Sequence, residues 1–297
     1  MQNKESLYLL FFFLVLAALF SCGTQKRAFS VKKELSIVDS QLRQYDNTLK
    51  KQDEQRKNKK EQNEIDDAAN ERMQNFIDKT NAIIDSLNMQ NAILIRNTSV
   101  VKNDLEKLVN TLSFSRMSSK QIGDKILFLT DLMNQNLVIK IDQDILFETG
   151  KYSVTPAMSD VIGKFFEPPV KEIDLFVKKY PDFPISLVIT AIGYVDATPI
   201  AEGGLLYKDL KERISLSGKE PDNKELNKEL SRARAKEIIL LFQKFASDRL
   251  GTGGYLKNVL YLYEGKGEAM PDPKITDYKI DDPRRRLVLL YWSIFPE

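Results

Sequence analysis

Two oppositely charged side chains, Asp196 and Arg234, have the sequence context of ligand-binding residues. Apolar residues lie four positions before and four positions after Arg234, so on a helix this arginine borders the apolar face. A guanidinium held at such a border needs an anionic partner to offset its lost hydration. Asp196 follows the apolar, β-branched stretch Ile185–Ile192 and precedes a proline-containing loop. Less specific alternatives are a turn or cap role for Asp196 and an ion pair between Arg234 and Glu237.

The composition excludes most catalytic and metal chemistry. The 297 residues include no histidine, which removes Ser-His-Asp and Cys-His catalysis and histidine-ligated zinc. One cysteine excludes an intramolecular disulfide, a redox pair and a multi-cysteine metal site. The 44 basic and 42 acidic side chains balance to a net charge of +2, which gives no overall attraction to nucleic acid. We therefore expect no enzyme activity, no cofactor, no metal and no nucleic-acid partner.

The single cysteine, Cys22, follows an apolar segment of signal-peptide length. The run Leu7–Phe20 has about 14 residues, whereas a membrane-spanning helix needs about 20. Leu19, Ser21 and Cys22 stand at the spacing of a lipobox, so the amino terminus resembles that of a bacterial lipoprotein. Acylation of Cys22 with two or three chains would hold the protein to a bilayer almost permanently. We expect a lipoprotein signal peptide at residues 1–21 and a lipidated linker at 22–34; the alternative is an uncleaved anchor with an incidental cysteine.

A long helical region is predicted to follow. No glycine lies between Gly23 and Gly123, and all 11 prolines lie at Pro156 or beyond, so about a hundred residues contain neither helix breaker. Apolar residues alternate three and four apart in two stretches that share one heptad frame. The first stretch contains Leu35, Val38, Leu42, Tyr45 and Leu49, and the second contains Met73, Ile77, Thr80, Ile84, Leu87, Asn91, Leu94, Thr98, Val101, Leu105, Leu108 and Leu112.

Between these stretches the seam positions are all polar. They are Gln52, Arg56, Lys59, Asn63, Asp66 and Asn70. Either the helix runs through this segment solvated, or it bends there into a hairpin whose two arms pack together. A homo-oligomeric coiled coil is a further possibility, in which Asn91 would help to set the register. We predict a helical coiled-coil stalk at residues 35–120.

The remaining chain predicts strands alternating with helices. Leu137–Ile141, Ile185–Ile192, Val259–Tyr263 and Leu287–Trp292 have the composition of short strands. Helices are expected from Thr155-Pro156 towards Tyr180, split at Pro168-Pro169, and from Asn227 to about Phe245. This order indicates the α+β or α/β class, a sandwich with helices on one face of a small sheet.

Four signatures in this half occur in a characteristic order. They are Ile145-Leu146-Phe147-Glu148-Thr149-Gly150, Gly193-Tyr194-Val195-Asp196-Ala197-Thr198-Pro199-Ile200, Asn227-Lys228-Glu229-Leu230-Ser231-Arg232-Ala233-Arg234-Ala235, and Gly265-Lys266-Gly267-Glu268 with Arg285-Arg286-Leu287. Together they resemble the OmpA-like (OmpA/MotB C-terminal) peptidoglycan-binding family over residues 137–294. The resemblance implies a two-layer βαβα-β-β sandwich, for which we assign residues 136–297.

The resemblance also implies a binding site. Family members bind the diaminopimelate-containing peptide stem of the cell wall through an aspartate and an arginine, which fall here on Asp196 and Arg234. Asp196 would take the ammonium group, and Arg234 would hold the carboxylate in a bidentate pair. Asn227 matches the family asparagine that braces the loop near the site. The run Arg284–Arg286 is interpreted as an edge-strand and solubility feature.

These observations lead to one functional hypothesis and its rivals. The hypothesis is a lipoprotein that is anchored in the outer membrane, faces the periplasm and tethers this membrane or an envelope assembly to peptidoglycan. The rival is an interaction scaffold whose α/β domain no longer binds peptidoglycan and whose coil self-associates or recruits an envelope protein. A stator-like channel subunit is disfavoured because Leu7–Phe20 contains no ionisable residue for proton conduction.

Overall fold

The structure is a computed structural model that describes the backbone of residues 2–96, 102–181, 183–214, 220–247, 249–250 and 256–296. The side chains of residues 2–22, 24, 102, 103, 159, 160, 256, 257 and 296 lie outside this description. The predicted lipidation of Cys22 therefore concerns a side chain outside the described set. The predicted seam positions Thr98 and Val101 also lie outside the described residues. Within the described part of the chain, no helix has the length and apolar character needed to cross a membrane.

The chain forms two compact units. Met1–Glu54 and Gln74–Asp131 make up the first, which we call the helical unit. Gln55–Met73 and Leu132–Glu297 make up the second, which we call the sheet unit. The sheet unit thus combines the carboxyl-terminal half of the chain with a short piece of the long helical region.

Three helices account for the amino-terminal region: α1 (Gln2–Glu61), α2 (Asp67–Arg96) and α3 (Lys102–Met133). Contacts between α1 and α3 in the helical unit advance together along both helices, which makes these two helices parallel. These contacts join Glu34 to Arg116, Gln41 to Ser119 and Gln52 to Ile126. Contacts between α2 and α3 run in opposite senses, since Asn91 bonds to Ser115 while Phe76 meets Phe128. The helical unit is therefore an up-down-up bundle.

The heptad seam is the buried face of this bundle. Leu35, Leu42 and Leu49 of α1 have no exposed surface, and the α2 seam from Ile77 to Asn91 is buried as well. The same three-four alternation continues along α3 beyond Leu112, through Ser115, Ser119, Ile122, Ile126 and Leu129, all of them buried. A strip of this kind packs helix against helix along its whole length.

The polar segment of the seam contains a turn, so the chain adopts the hairpin alternative. Helix α1 ends at Glu61 and α2 begins at Asp67. Asn63 takes a left-handed backbone conformation with φ of 54°, which asparagine adopts more readily than most residues. Asp66 then accepts a 2.7 Å hydrogen bond from the backbone N–H of Ala69, which caps the start of α2.

Four strands build one mixed sheet: β1 (Val138–Asp142), β2 (Ile185–Gly193), β3 (Leu256–Gly265) and β4 (Leu287–Pro296). Their order across the sheet is β1-β4-β2-β3. Strand β4 is antiparallel to both β1 and β2, whereas β3 runs parallel to β2. A long helical region followed by a small mixed sheet with helices is compatible with the α+β class.

The helices of the sheet unit are α4 (Gln143–Leu146), α5 (Ser159–Lys179), α6 (Leu205–Ile214) and α7 (Asn223–Ala246). The predicted split at Pro168-Pro169 is wrong, because α5 passes through both prolines without a break. A buried apolar face that includes Phe166, Ile173 and Phe176 holds α5 together, and Phe166 packs edge-on against Phe242 of α7 at 5.1 Å.

Helix α7 covers one face of the sheet and begins four residues earlier than predicted. Asp222 and Glu225 form a reciprocal capping box that starts the helix at Asn223. The helix approaches the sheet so closely that a Cβ atom on Gly193 would overlap the backbone carbonyl of Ser231. Only glycine allows this contact between β2 and α7.

The hairpin turn lies on the opposite face of the sheet. Tyr291 alternates with the α7-facing residues of β4, and its hydroxyl donates a 3.1 Å hydrogen bond to the carbonyl of Asn63. The side chain of Asn63 donates in turn to the carbonyl of Pro271 at 2.8 Å, and Arg72 lies 5.5 Å from the ring centre of Phe295. Beneath the turn is an apolar cluster of Val138, Ile192, Tyr194, Leu289 and Tyr291.

Candidate functional site

A cleft of about 590 Å³ in the sheet unit brings the predicted site residues together. Asp196 reaches it from the end of β2, and Asn227 and Arg234 reach it from α7. Its four charged lining residues are two carboxylates, Asp144 and Asp196, and two guanidiniums, Arg234 and Arg286. A cleft with two charges of each sign matches a ligand that itself carries both signs.

Arg234 is held by neutral groups on the cleft wall. Its Nε donates a 3.0 Å hydrogen bond to the carbonyl of Lys151, and its Nη1 donates to Oε1 of Gln143. The guanidinium also lies 5.3 Å from the ring centre of Phe147, a cation–π contact. Glu237, the alternative partner considered from the sequence, instead accepts a hydrogen bond from the backbone N–H of Val154.

The guanidinium of Arg234 is therefore a buried cation without a carboxylate bound to it among the described residues. Only 7% of the residue is exposed, and burial lowers its pKa to about 10, although Asp144 and Asp196 act in the opposite direction. A charge held in this way by neutral groups is costly, and an anion in the cleft would stabilise it. The arrangement can hold a ligand carboxylate.

Asp196 is buried at the carboxyl end of β2 and fixed by two donors. Its Oδ2 accepts a 2.8 Å hydrogen bond from Nη1 of Arg286, and its Oδ1 accepts a 3.0 Å bond from the backbone N–H of Thr198. Burial alone would raise the pKa of Asp196, but the bonds from Arg286 and Thr198 outweigh it and lower the pKa below its usual value. Asp196 is consequently an anion at neutral pH and can attract a ligand ammonium group.

Arg286 and Asp144 are cleft residues that sequence reasoning missed. The guanidinium of Arg286 bonds to both carboxylate oxygens of Asp144 at 2.7–3.0 Å while it also contacts Asp196. Two carboxylates thus share one guanidinium, and hydrogen bonding to Asp144 is the main cause that raises the pKa of Arg286. The position of Arg286 immediately before the apolar strand Leu287–Trp292 is the sequence signal that could have identified it.

The interpretation of Arg284–Arg286 as an edge-strand and solubility feature is wrong. Strand β4, which follows this run, is central in the sheet, and each arginine has a defined contact. Arg284 pairs with Asp282 at 2.6 Å, and Arg285 is buried and donates to the carbonyl of Glu268. Their role is to fix the loop before β4, while Arg286 serves the cleft.

Asn227 joins the loop that carries Asp196 to the loop that carries Glu268. Its buried side chain donates to Oε1 of Glu268 at 2.9 Å and to the carbonyl of Thr198 at 3.3 Å. Thr198 follows Asp196 in the same loop, and the backbone N–H of Ala197 bonds to the carbonyl of Ile280. The loop that carries Asp196 is therefore bound on both sides.

Gln143 is a second orienting residue that the sequence did not reveal. It is fully buried, and its Nε2 donates to the carbonyls of Tyr194 at 2.8 Å and Leu287 at 2.9 Å. These bonds fix the amide so that Oε1 faces Arg234. One side chain thus connects the ends of β2 and β4 with the guanidinium in the cleft.

The long stretch between Asp196 and α7 contributes the outer wall. It contains α6, whose Leu210 packs with Val195, Leu226 and Leu230 in one apolar cluster. Tyr152 ties α6 to the loop around Arg234 through a 2.6 Å hydrogen bond to Asp209. Among the described residues, no group of three or more carboxylates or cysteines is arranged to hold a metal ion.

The comparisons with known proteins do not add a relative to this picture. No protein-family model matches the chain, and no curated protein matches it. The resemblance to the OmpA-like family therefore rests on the four sequence signatures.

Proposed function

We propose that the sheet unit is an OmpA-like domain that binds peptidoglycan noncovalently, and that acylated Cys22 attaches the chain to the outer membrane. The protein then tethers this membrane, or an envelope assembly, to the cell wall. The observation that carries the proposal is Arg234, a buried guanidinium in the cleft wall that bonds to no carboxylate of the described residues, while anionic Asp196 lines the same cleft.

Diaminopimelate suits this arrangement because the free end of its side chain carries an ammonium and a carboxylate on one carbon. The carboxylate would accept from Arg234, replacing none of its bonds to Lys151 and Gln143, which use other guanidinium hydrogens. The ammonium would approach Asp196 and Asp144, whose charge exceeds that of the single Arg286 between them. The net charge of the cleft is unchanged when a zwitterion enters, so little charge repulsion opposes binding.

A single zwitterion held by a few polar contacts binds weakly. A cell-wall polymer repeats the same peptide stem many times, and repeated sites near one anchored protein give the retention that one site lacks. A lipid-anchored protein with a weak wall-binding site is therefore sufficient for a tether. The helical unit would act as the spacer in this arrangement.

Sedimentation with purified, insoluble cell-wall sacculi tests the proposal. The full-length chain in detergent micelles should pellet with the sacculi, and free diaminopimelate should release it. Asp196→Ala and Arg234→Ala should each remain in the supernatant. The matched controls are Asp174→Ala and Arg232→Ala, which remove the same charges from exposed ion pairs outside the cleft and should pellet like wild type.

The second candidate is the interaction scaffold without wall binding. The buried polar pair of Asn91 and Ser115 favours one helical register inside the bundle, which gives the helical unit a defined outer surface for a protein partner. If wild type stays in the supernatant together with Asp196→Ala and Arg234→Ala, the scaffold is supported, and if all three pellet equally, binding through the cleft is refuted.

A further inference from the structure

A second cleft in the sheet unit, of about 550 Å³, lies along the outer edge of β1. We call it the edge groove. Its lining includes Val138–Lys140 of β1, Lys164, Phe165 and Pro168 of α5, Lys274, and the hairpin turn at residues 62–64. None of these residues lines the cleft that contains Asp196 and Arg234.

The backbone of β1 has unused hydrogen-bonding groups at this edge. Strand β1 is the first strand in the sheet order and pairs only with β4 among the described strands. The carbonyl of Leu137 accepts from Trp292, and the N–H of Gln143 donates to Arg286, so the odd-numbered residues of β1 face β4. Because neighbouring residues in a strand point their backbone groups to opposite sides, those of Val138 and Lys140 point away from β4.

Charges around the edge groove are mainly positive. Lys140, Lys164 and Lys274 come from three different elements, and none of them forms an ion pair with a described carboxylate. The one carboxylate in the lining, Glu64, is already paired with Lys59 at 2.9 Å. Three ammonium groups around one cleft repel one another, and an anionic occupant relieves this repulsion.

Apolar surface completes the edge groove. Phe165 and Pro168 lie beside Val138 and Ile139, which provides room for an uncharged side chain next to the lysines. The hairpin turn is held in place by the bonds of Asn63 to Pro271 and Tyr291, so this border of the groove is preformed. A preformed groove binds a flexible chain at a lower ordering cost than a mobile one.

We propose that the edge groove binds an extended, acidic segment of a partner protein, which adds to the sheet as a strand beside β1. The main chain of the segment pairs with the free groups of Val138 and Lys140. Its acidic side chains face the three lysines, and an apolar side chain between them contacts Phe165 and Pro168. This mode of recognition takes its affinity from the backbone and its specificity from the side chains.

Fluorescence anisotropy with a defined probe tests this proposal. The probe is a fluorescein-labelled ten-residue peptide of alternating glutamate and valine, titrated with the full-length chain in detergent micelles. We expect saturable binding that weakens by at least about tenfold in the Lys164→Gln, Lys274→Gln double variant, a difference of about 1.4 kcal/mol. The control double variant Lys208→Gln, Lys244→Gln removes the same charge from exposed positions outside the groove and should bind like wild type.

Two further probes separate strand pairing from charge attraction. The same peptide with every second backbone amide N-methylated keeps its charge but cannot pair with a strand, and it should not bind. Oligogalacturonate, an acidic sugar chain, should not displace the labelled peptide. Absence of saturable binding, equal binding of the methylated peptide, displacement by oligogalacturonate, or unchanged affinity in the double variant would each overturn the proposal.

The experiment is independent of the wall-binding function. The Lys164→Gln, Lys274→Gln variant leaves Asp196, Arg234 and Arg286 unchanged, so it should pellet with sacculi like wild type. Failure of the peptide to bind would therefore leave the wall-binding proposal intact, and loss of wall binding would leave the edge groove to be judged by anisotropy alone.

Discussion

Replacement of Arg234 by methionine should remove ligand binding while leaving the fold almost as stable as before. Methionine preserves much of the apolar volume of the arginine stem and removes only the charged head. Arg234 is 7% exposed and donates its hydrogen bonds to neutral acceptors. Its replacement therefore removes a cation that the unliganded protein stabilises poorly.

The expected change in the free energy of unfolding is the balance of two opposing contributions in the protein without ligand. Burial lowers the pKa of Arg234 to about 10, a shift that corresponds to about 3 kcal/mol against the charged form. The hydrogen bonds to Lys151 and Gln143 stabilise the folded chain by about 1 kcal/mol each. The two contributions nearly cancel, so we expect Arg234→Met to unfold within about 1 kcal/mol of wild type.

Binding should respond much more strongly than stability. Loss of one partner from a buried, hydrogen-bonded charge pair costs about 2–5 kcal/mol, which weakens binding between about thirtyfold and several thousandfold. The matched control is Arg232→Met on the same helix, because the exposed guanidinium of Arg232 pairs with Glu229 at 3.4 Å and does not line the cleft. Arg232→Met should change neither ligand binding nor the free energy of unfolding appreciably.

Trp292 allows the stability of the sheet unit to be measured directly. It is the only tryptophan in the chain and lies buried in β4, so its fluorescence during urea unfolding reports on the sheet. Calorimetric titration with a soluble diaminopimelate-containing muropeptide measures binding on the same samples. A loss of more than about 3 kcal/mol in stability, as expected for a broken structural ion pair, would refute the assignment of Arg234 to the ligand.

Three further outcomes are expected from the structure and one from the sequence. Because the pKa of Asp196 is lowered in the folded chain, its bond to Arg286 stabilises the protein above about pH 4 and is lost as the pH falls through the native pKa. The stability difference between wild type and Asp196→Asn should accordingly be largest near neutral pH and disappear in acid, as followed by urea unfolding across a pH series. Gly193→Ala should destabilise the sheet unit by more than about 2 kcal/mol in the same assay, since a Cβ atom there overlaps the backbone of α7. Asn63→Ala should lower the melting temperature because alanine adopts the φ of 54° poorly and loses the bond to the loop before β4, whereas Asn63→Gly should lose only that bond and fall less. Labelled palmitate should be incorporated into wild type in bacterial cells and not into Cys22→Ala, and equal labelling would refute the lipid anchor.

The heptad pattern predicted which helical positions are buried but not where the helices end. Even polar seam residues follow the frame, since Gln52 is 3% and Arg56 is 6% exposed. The turn at Asn63 could not be chosen over a continuous helix because no glycine or proline marks it. The opposite directions of α2 and α3 were not expected, because the apolar alternation continues in one frame from Leu94 to Leu105.

Strand composition predicted all four strands, and helix continuity was harder to judge. Proline disfavours the interior of a helix, yet α5 contains Pro168 and Pro169 because its apolar face packs against α7. Helix α7 began earlier than expected because its start depends on a capping box at Asp222, five residues before the matched signature at Asn227.

The candidate site was predictable in part. The sequence indicated Asp196, Asn227 and Arg234, and the cleft contains all three. Asp144 and Arg286 were missed because they lie 142 positions apart and meet only through the pairing of β1 with β4. No local pattern specifies that pairing, which depends on the order of strands in the folded sheet.

The hairpin turn changes where the carboxyl-terminal domain can be cut from the chain. A truncated protein that starts at residue 132 retains the whole sheet but loses Gln55–Met73, the segment that covers Tyr291 and its apolar neighbours. Those side chains would become solvent-exposed, and such a protein should aggregate or require detergent. A soluble minimal version would need the turn reattached through a short designed connection, so that the two separated pieces of chain remain one folding unit.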